Sequence, residues 1–167
     1  MQHAKQLLLN HPYSITEMPE GDNWIYEDIA ATITSGEGSS QMSSSRKVER
    51  AFDGNTATAW QSAPKNDTAQ EVSFTIDASG VDCINYLRYV PFQSGSTKWG
   101  RWEAVDVYVT DADGTETLVK SVEMYPGITP VDIIFDPALP NTTKGVRIVI
   151  KKATAYVENG QEYPNVA

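Results

Sequence analysis

The chain has 167 residues, 40% of them hydrophobic and 21% charged, and a formal net charge of −9. That length suits one domain with a sizeable core. The acidic balance argues against a nucleic-acid surface, because phosphate binding rests largely on Lys and Arg. No apolar run approaches the ~18 residues of a membrane span, and Leu7-Leu8-Leu9 is too short for the ~7–15-residue core of a signal peptide.

Residues 1–24 read as an N-terminal segment and linker. Ala4 to Asn10 has the pattern of a short helix ending before His11-Pro12, and Met18-Pro19-Glu20-Gly21-Asp22-Asn23 is rich in turn formers. From about Tyr26 onward the texture is β. Ile29 to Thr34 is the first expected strand, and Ser35 to Ser45 is a Gly/Ser-rich surface loop. Arg46 to Phe52 is expected to make one helical turn. Arg46, Lys47 and Arg50 form the only dense basic spot in the chain, and the expectation for it is a solvated face.

Glu71 to Ile76 alternates Val72, Phe74 and Ile76 with polar neighbours, the period-2 signal of a half-buried strand. Cys83 to Val90, Trp102 to Thr110, Glu116 to Val122, Val131 to Phe135 and Gly145 to Lys151 follow as further strands. In the Trp102 strand Val105, Val107 and Val109 face one side, and Asp106 and Tyr108 the other. Several short strands with turn signals between them predict a sandwich or barrel. Trp60, Val72, Phe74, Ile84, Val105, Val107, Ile133 and Ile148 are the expected core. Tyr156 to Tyr163 reads as a polar loop containing Asn159-Gly160. The single Cys83 cannot form an intrachain disulfide, and as a strand residue it is expected to be a small buried hydrophobe.

The densest chemistry lies in Ala51-Phe52-Asp53-Gly54-Asn55-Thr56-Ala57-Thr58-Ala59-Trp60. Asp, Asn and Thr offer hard oxygens, and Gly54 lets the backbone curl so that carbonyls can join them. Such ligands suit Ca²⁺, which takes about six to eight oxygens. An Asx-type turn leading into a buried Trp explains the same residues. Asp111-Ala112-Asp113-Gly114 resembles the start of an EF-hand loop, but Glu116 and Val122 stand where that motif needs Gly and Glu. A hairpin turn is the better reading there.

The motif run is followed by Tyr89-Val90-Pro91, by Gly100-Arg101-Trp102, and by Asp113-Gly114. This ordered set resembles the factor V/VIII type C domain, also called the discoidin or galactose-binding-like domain, whose bacterial members include family 32 carbohydrate-binding modules. The likeness covers roughly Ile29 to Ile150. It implies an all-β jelly-roll sandwich over residues 25–167, without intrinsic catalysis. The family's last strand opens with Ala-Glu, whose Glu closes a metal site. That strand is not found before Ala167, so the expectation is a sandwich lacking it or closed differently. Carried over by position, the family's calcium ligands are the Arg50 carbonyl, Asp53, Asn55 and Thr58. The implied cofactor is a structural calcium, weakly held without that Glu.

The resemblance also implies a glycan as partner, bound by loops at one end of the sandwich, 61–70, 92–100 and 153–164. Trp99, Phe92, Lys98, Arg101, Gln61, Tyr156 and Tyr163 are the candidates. Trp99 leads, because a large apolar residue in a Ser/Thr/Gly loop is costly to expose without a use; a side chain folded back onto the domain is the competing reading. Relatives that bind galactose place His after the motif Trp, Arg after Y-x-P and Asn before G-R. Here those positions hold Gln61, Phe92 and Trp99, so galactose specificity does not carry over. The expectation is a non-catalytic glycan-binding module, monomeric, of a secreted or cell-surface bacterial protein. The alternatives are an adhesion or protein-interaction module and a spacer beside an enzyme. No paired-carboxylate, G-x-S-x-G, H-E-x-x-H or P-loop motif supports an enzyme.

Overall fold

The structure is a computed structural model that describes residues 14–17, 25–27, 36–63, 71–81, 83–93 and 99–163. The helix expected at 4–10, the linker turn at 18–23 and the strand expected at 29–34 lie outside them. Two short strands, β1 (Ser14–Glu17) and β2 (Ile25–Glu27), pair antiparallel across the boundary read from composition.

The main sheet has five antiparallel strands: β3 (Gly36–Gly38), β4 (Val72–Asp77), β6 (Trp102–Thr110), β7 (Glu116–Glu123) and β9 (Gly145–Ala153), in the order β3-β4-β9-β6-β7. Facing it is the pair β5 (Ile84–Tyr89) and β8 (Val131–Leu139). Alternation puts one face of each strand inside. Phe74 and Ile76 of β4, Val105 and Val107 of β6 and Val146 and Ile148 of β9 meet Ile133, Phe135 and Leu139 of β8 in one core. Val105, Val107 and Val146 are essentially inaccessible. The expected core residues are all buried except Ile84, which is half-buried and packs against the cluster.

Two strands differ from expectation in a physically legible way. β8 continues beyond Phe135 to Leu139. Its register with β5 jumps from Tyr86↔Ile134 to Ile84↔Leu139, so Pro137, which has no N–H to donate, sits in a bulge where no ladder bond is required. The segment read as a polar loop at 156–163 is a hairpin of β10 (Tyr156–Glu158) and β11 (Gln161–Tyr163). Asn159 (φ 51°) and Gly160 (φ 80°) form its two-residue turn, the conformation that Asn-Gly favours between paired strands.

The outer face of the main sheet is tied together by Arg147. Its guanidinium donates to Glu116 at 2.8 Å, reaches Glu71, and lies 4.8 Å from the Tyr108 ring centroid. The turn at Asp111 is a hairpin turn and not an ion loop. Its carboxylate accepts the N–H groups of Asp113 and Thr115, and Gly114 adopts φ 78°. Cys83 corrects an expectation: it is exposed, because β5 begins one residue later and leaves it at the strand's mouth.

Candidate functional site

The Asp53 loop follows two short 3₁₀ turns, Ser44–Arg46 and Val48–Ala51, which replace the single helical turn expected. Gly54 (φ 74°) reverses the chain. The Asp53 carboxylate then accepts the Asn55 N–H at 2.9 Å and the Thr58 hydroxyl at 2.7–2.9 Å, and Arg50 Nη1 approaches it at 3.2 Å. Asn55 Oδ1 accepts the Ala57 N–H at 3.0 Å. The Thr58 hydrogen bond, then the Asn55 amide and Arg50, hold the Asp53 carboxyl below its ordinary range. The loop is thus an Asx turn that satisfies its own polar groups.

These contacts bear on the metal expected there. Hard oxygens from Asp53, Asn55 and Thr58 do converge, but only one carboxylate is present and Arg50 already lies against it. Among the described residues, no three of His, Cys, Asp and Glu gather in one place. The oxygen chemistry suits a hard cation; the charge it would answer is met by a guanidinium.

The loop ends in Trp60, buried against Phe74 with ring centroids 5.1 Å apart. Its Nε1–H donates to the Ser40 carbonyl at 2.9 Å. Gly38 leaves room for the indole: a Cβ there would stand 2.5 Å from Trp60 Nε1. Trp60 thereby fastens the motif loop to β3 and sends Gln61 toward the surface.

Beside this loop a cavity of about 330 Å³ opens at one end of the sandwich. Gln61, Phe92, Trp99 and Arg101 line it, as do Arg50, Asp53, Asn55 and Thr58. Four of the ligand candidates and all four metal candidates read from the sequence therefore share one depression. Its floor is Phe74, Ile133 and Ile148, no more than 6% exposed, so the accessible part is the rim. Trp99 is the prominent rim residue, 42% exposed. It stands edge-on against Tyr156, with centroids 4.9 Å apart at 89°. Tyr156 is buried and braces Trp99 from behind instead of lining the cavity. Thr154 holds this pair in place: its carbonyl accepts the Gly100 N–H, its N–H donates to the Arg101 carbonyl, and its hydroxyl accepts the Arg101 N–H. Lys98 and the Tyr163 side chain lie outside what the structure describes.

Several residues lining the cavity were not among the ligand candidates read from the sequence. Arg46, read as part of a solvated turn, lies with its guanidinium 4.4 Å from the Phe92 ring centroid. Tyr89 and Trp102 stack at 4.1 Å with planes 3° apart, and the Tyr89 hydroxyl accepts the Trp102 N–H at 3.2 Å. Burial pushes the Tyr89 phenol up to about 12. Arg88, also lining, is held by Asp132 through two hydrogen bonds at 2.7 and 3.0 Å. The Tyr-x-Pro and Gly-Arg-Trp motifs marked these strand ends; nothing local to Arg46 marked it.

An antiparallel sandwich that gathers aromatic and polar side chains in the loops at one end has the build of a galactose-binding-like domain. The model of the F5/8 type C domain family matches residues 35–165, and the chain belongs to that family. Its fold is similar to the family 32 carbohydrate-binding module of Clostridium perfringens NanJ, solved with galactose: 17% identity, TM-score 0.62, over 80% of this chain and 86% of that one. It is similar also to the paired modules of Clostridium perfringens ZmpB, solved with GalNAc: 24% identity, TM-score 0.59, over 74% of this chain and 31% of that one. A third is chitosan-binding module 2 of a Paenibacillus chitosanase/glucanase, solved with chitotriose: 21% identity, TM-score 0.59, over 81% and 92%. No curated protein sequence matches the chain.

Proposed function

We propose that this domain is a non-catalytic carbohydrate-binding module that takes a saccharide at the loop-end cavity, with Trp99 as the stacking platform. The observation that carries this reading is Trp99 itself: exposed, braced edge-on by Tyr156, and beside a cavity whose rim supplies Gln61, Asn55 and Arg101 for hydroxyl groups. A rigid aromatic offers contact area at small entropic cost. Family membership and the sugars in the structures of similar fold support it. Catalysis at this site is not part of the reading. Hydrolysis of a glycosidic bond ordinarily uses two carboxylates, and among the described lining residues Asp53 is the only acid.

The expected affinity is micromolar to millimolar, roughly −8 to −4 kcal/mol. The test is calorimetric titration of a panel of neutral and acidic oligosaccharides into wild type and Trp99→Ala. Binding that falls at least ~10-fold in the variant supports the assignment; equal binding by both proteins places the site elsewhere.

The Asp53 loop is further proposed to take Ca²⁺ only weakly, by displacing Arg50, with a purely structural effect. Addition of Ca²⁺ should then raise the melting temperature of wild type slightly and leave Asp53→Ala unmoved. The parent protein is proposed to be secreted or surface-borne and bacterial, with the module monomeric and set beside an enzyme or adhesin. A second reading, as a protein-interaction module, draws on Tyr125 and Ile128, which are 87% and 57% exposed. The Ile128 carbonyl accepts from Gln93 Nε2 at 2.8 Å, which brings these apolar groups beside the Phe92 loop.

A further inference from the structure

The charge around the cavity is opposite to that of the chain. The protein carries −9 overall, yet the described residues lining the cavity include four arginines, Arg46, Arg50, Arg88 and Arg101, and a single acid, Asp53. Arg50 is answered by Asp53 at 3.2 Å, and Arg88 by Asp132 through two hydrogen bonds. Arg46 is different. Its guanidinium lies over the Phe92 ring, and among the described residues it has no acidic partner. Arg101, two residues after Trp99, also lines the cavity.

A guanidinium held over an aromatic face by cation–π attraction does not use its N–H groups for that contact, and a planar fork of such donors fits the two oxygens of a carboxylate or sulfate. A neutral sugar needs no such charge. A polyamine sugar would be repelled by it, and Asp53, the acid that could attract an ammonium, is already committed to Arg50 and Thr58. The chain's overall negative charge does not cancel the effect, because at physiological ionic strength exposed charges are screened beyond about 8 Å.

Resting on the carbohydrate-binding reading of this cavity, we propose that its ligand is an acidic saccharide, whose carboxylate or sulfate is received by Arg46 while Trp99 stacks on the sugar ring. The preference would run against the cationic chitosan class bound by one of the modules of similar fold.

The experiment is a calorimetric titration with four defined probes: trigalacturonic acid for a carboxylate, a sulfated galactan trisaccharide for a sulfate, and galactotriose and chitosan trimer as neutral and cationic partners. Wild type is expected to bind at least one acidic probe ~10-fold or more tightly than galactotriose, and the chitosan trimer most weakly. Which acidic probe wins identifies the anion. Arg46→Gln should weaken the acidic probe ~10-fold more than it weakens galactotriose, so that the preference is lost; Arg46→Lys should restore part of it. Trp99→Ala should weaken all probes alike. Tight binding of galactotriose or chitosan trimer with no acidic preference overturns the inference but leaves a saccharide site standing. An acidic preference undiminished in Arg46→Gln also overturns it, provided the variant melts like wild type. No binding by any probe overturns both readings.

Discussion

Gly38→Ala tests whether Trp60 fastens the motif loop to the sandwich. The added Cβ would sit 2.5 Å from Trp60 Nε1 and 2.7 and 2.9 Å from two ring carbons. Carbon contacts are comfortable only at about 3.5–4.0 Å, so something must move by roughly 1 Å. The backbone of β3 is held by its ladder with β4 and by the Ser39 N–H donating to the Ser73 carbonyl at 2.9 Å. The indole is the part that yields, and it loses its bond to the Ser40 carbonyl as it does. Overpacking costs ~1–3 kcal/mol and the hydrogen bond about 1 kcal/mol more, so the total is roughly 2–4 kcal/mol. At about 2–4 °C per kcal/mol for a chain of this size, the melting temperature should fall by ~4–16 °C. Thermal denaturation followed by circular dichroism measures it, with Glu37→Ala, exposed on the same strand, as the control expected to stay within ~0.5 kcal/mol. A Gly38→Ala protein that melts within about 1 °C of wild type would refute the packing argument.

Three further expectations follow from the same geometry. Tyr89, whose phenol is raised to about 12 by burial, should stay protonated when other tyrosines ionise; its contribution to stability is full below pH ~10 and lost as pH rises through 12. Absorbance titration at alkaline pH against Tyr89→Phe reads this, and a Tyr89 that titrates near 10 contradicts it. Asp53, held low by Thr58, Asn55 and Arg50, stabilises the fold above the unfolded carboxylate value of about 3.9 and ceases to do so as pH falls through its lower folded value. Asp53→Asn should therefore lower the melting temperature at pH 7 and narrow the gap to wild type in acid; a gap independent of pH would contradict that role. Arg147→Met should cost ~1–2 kcal/mol, since it removes partly exposed ion pairs to Glu116 and Glu71 and a cation–π contact with Tyr108, and an unchanged urea midpoint would show that the network adds nothing.

The sandwich strands were legible because alternation is imposed by burial: Val72, Phe74 and Ile76 point inward for the same reason that they recur every second residue. The Asn159-Gly160 hairpin also carried its signal, but its flanking residues are too short and polar to announce strands. Cys83 was misplaced by a single residue at a strand boundary, where local pattern is weakest. At the cavity, Trp99, Phe92, Gln61 and Arg101 were identifiable from loop position. Their union with the Asp53 loop was not, since it depends on how two sheets face each other. Arg46 shows the limit most clearly. In sequence it belongs to a basic, polar turn, and only the fold brings it over Phe92, a residue far along the chain.

The central claim, that a saccharide binds at the loop-end cavity through Trp99, is tested most directly by the indole N–H signals of the four tryptophans in a ¹H–¹⁵N spectrum. Assignment is by single Trp→Phe replacements at Trp24, Trp99 and Trp102, with Trp60 taken by difference. Under saturation with the tightest oligosaccharide of the panel, the Trp99 signal should shift strongly, Trp102 less, and Trp60, buried beneath the loop, least. Binding that leaves the Trp99 signal unmoved would contradict the account.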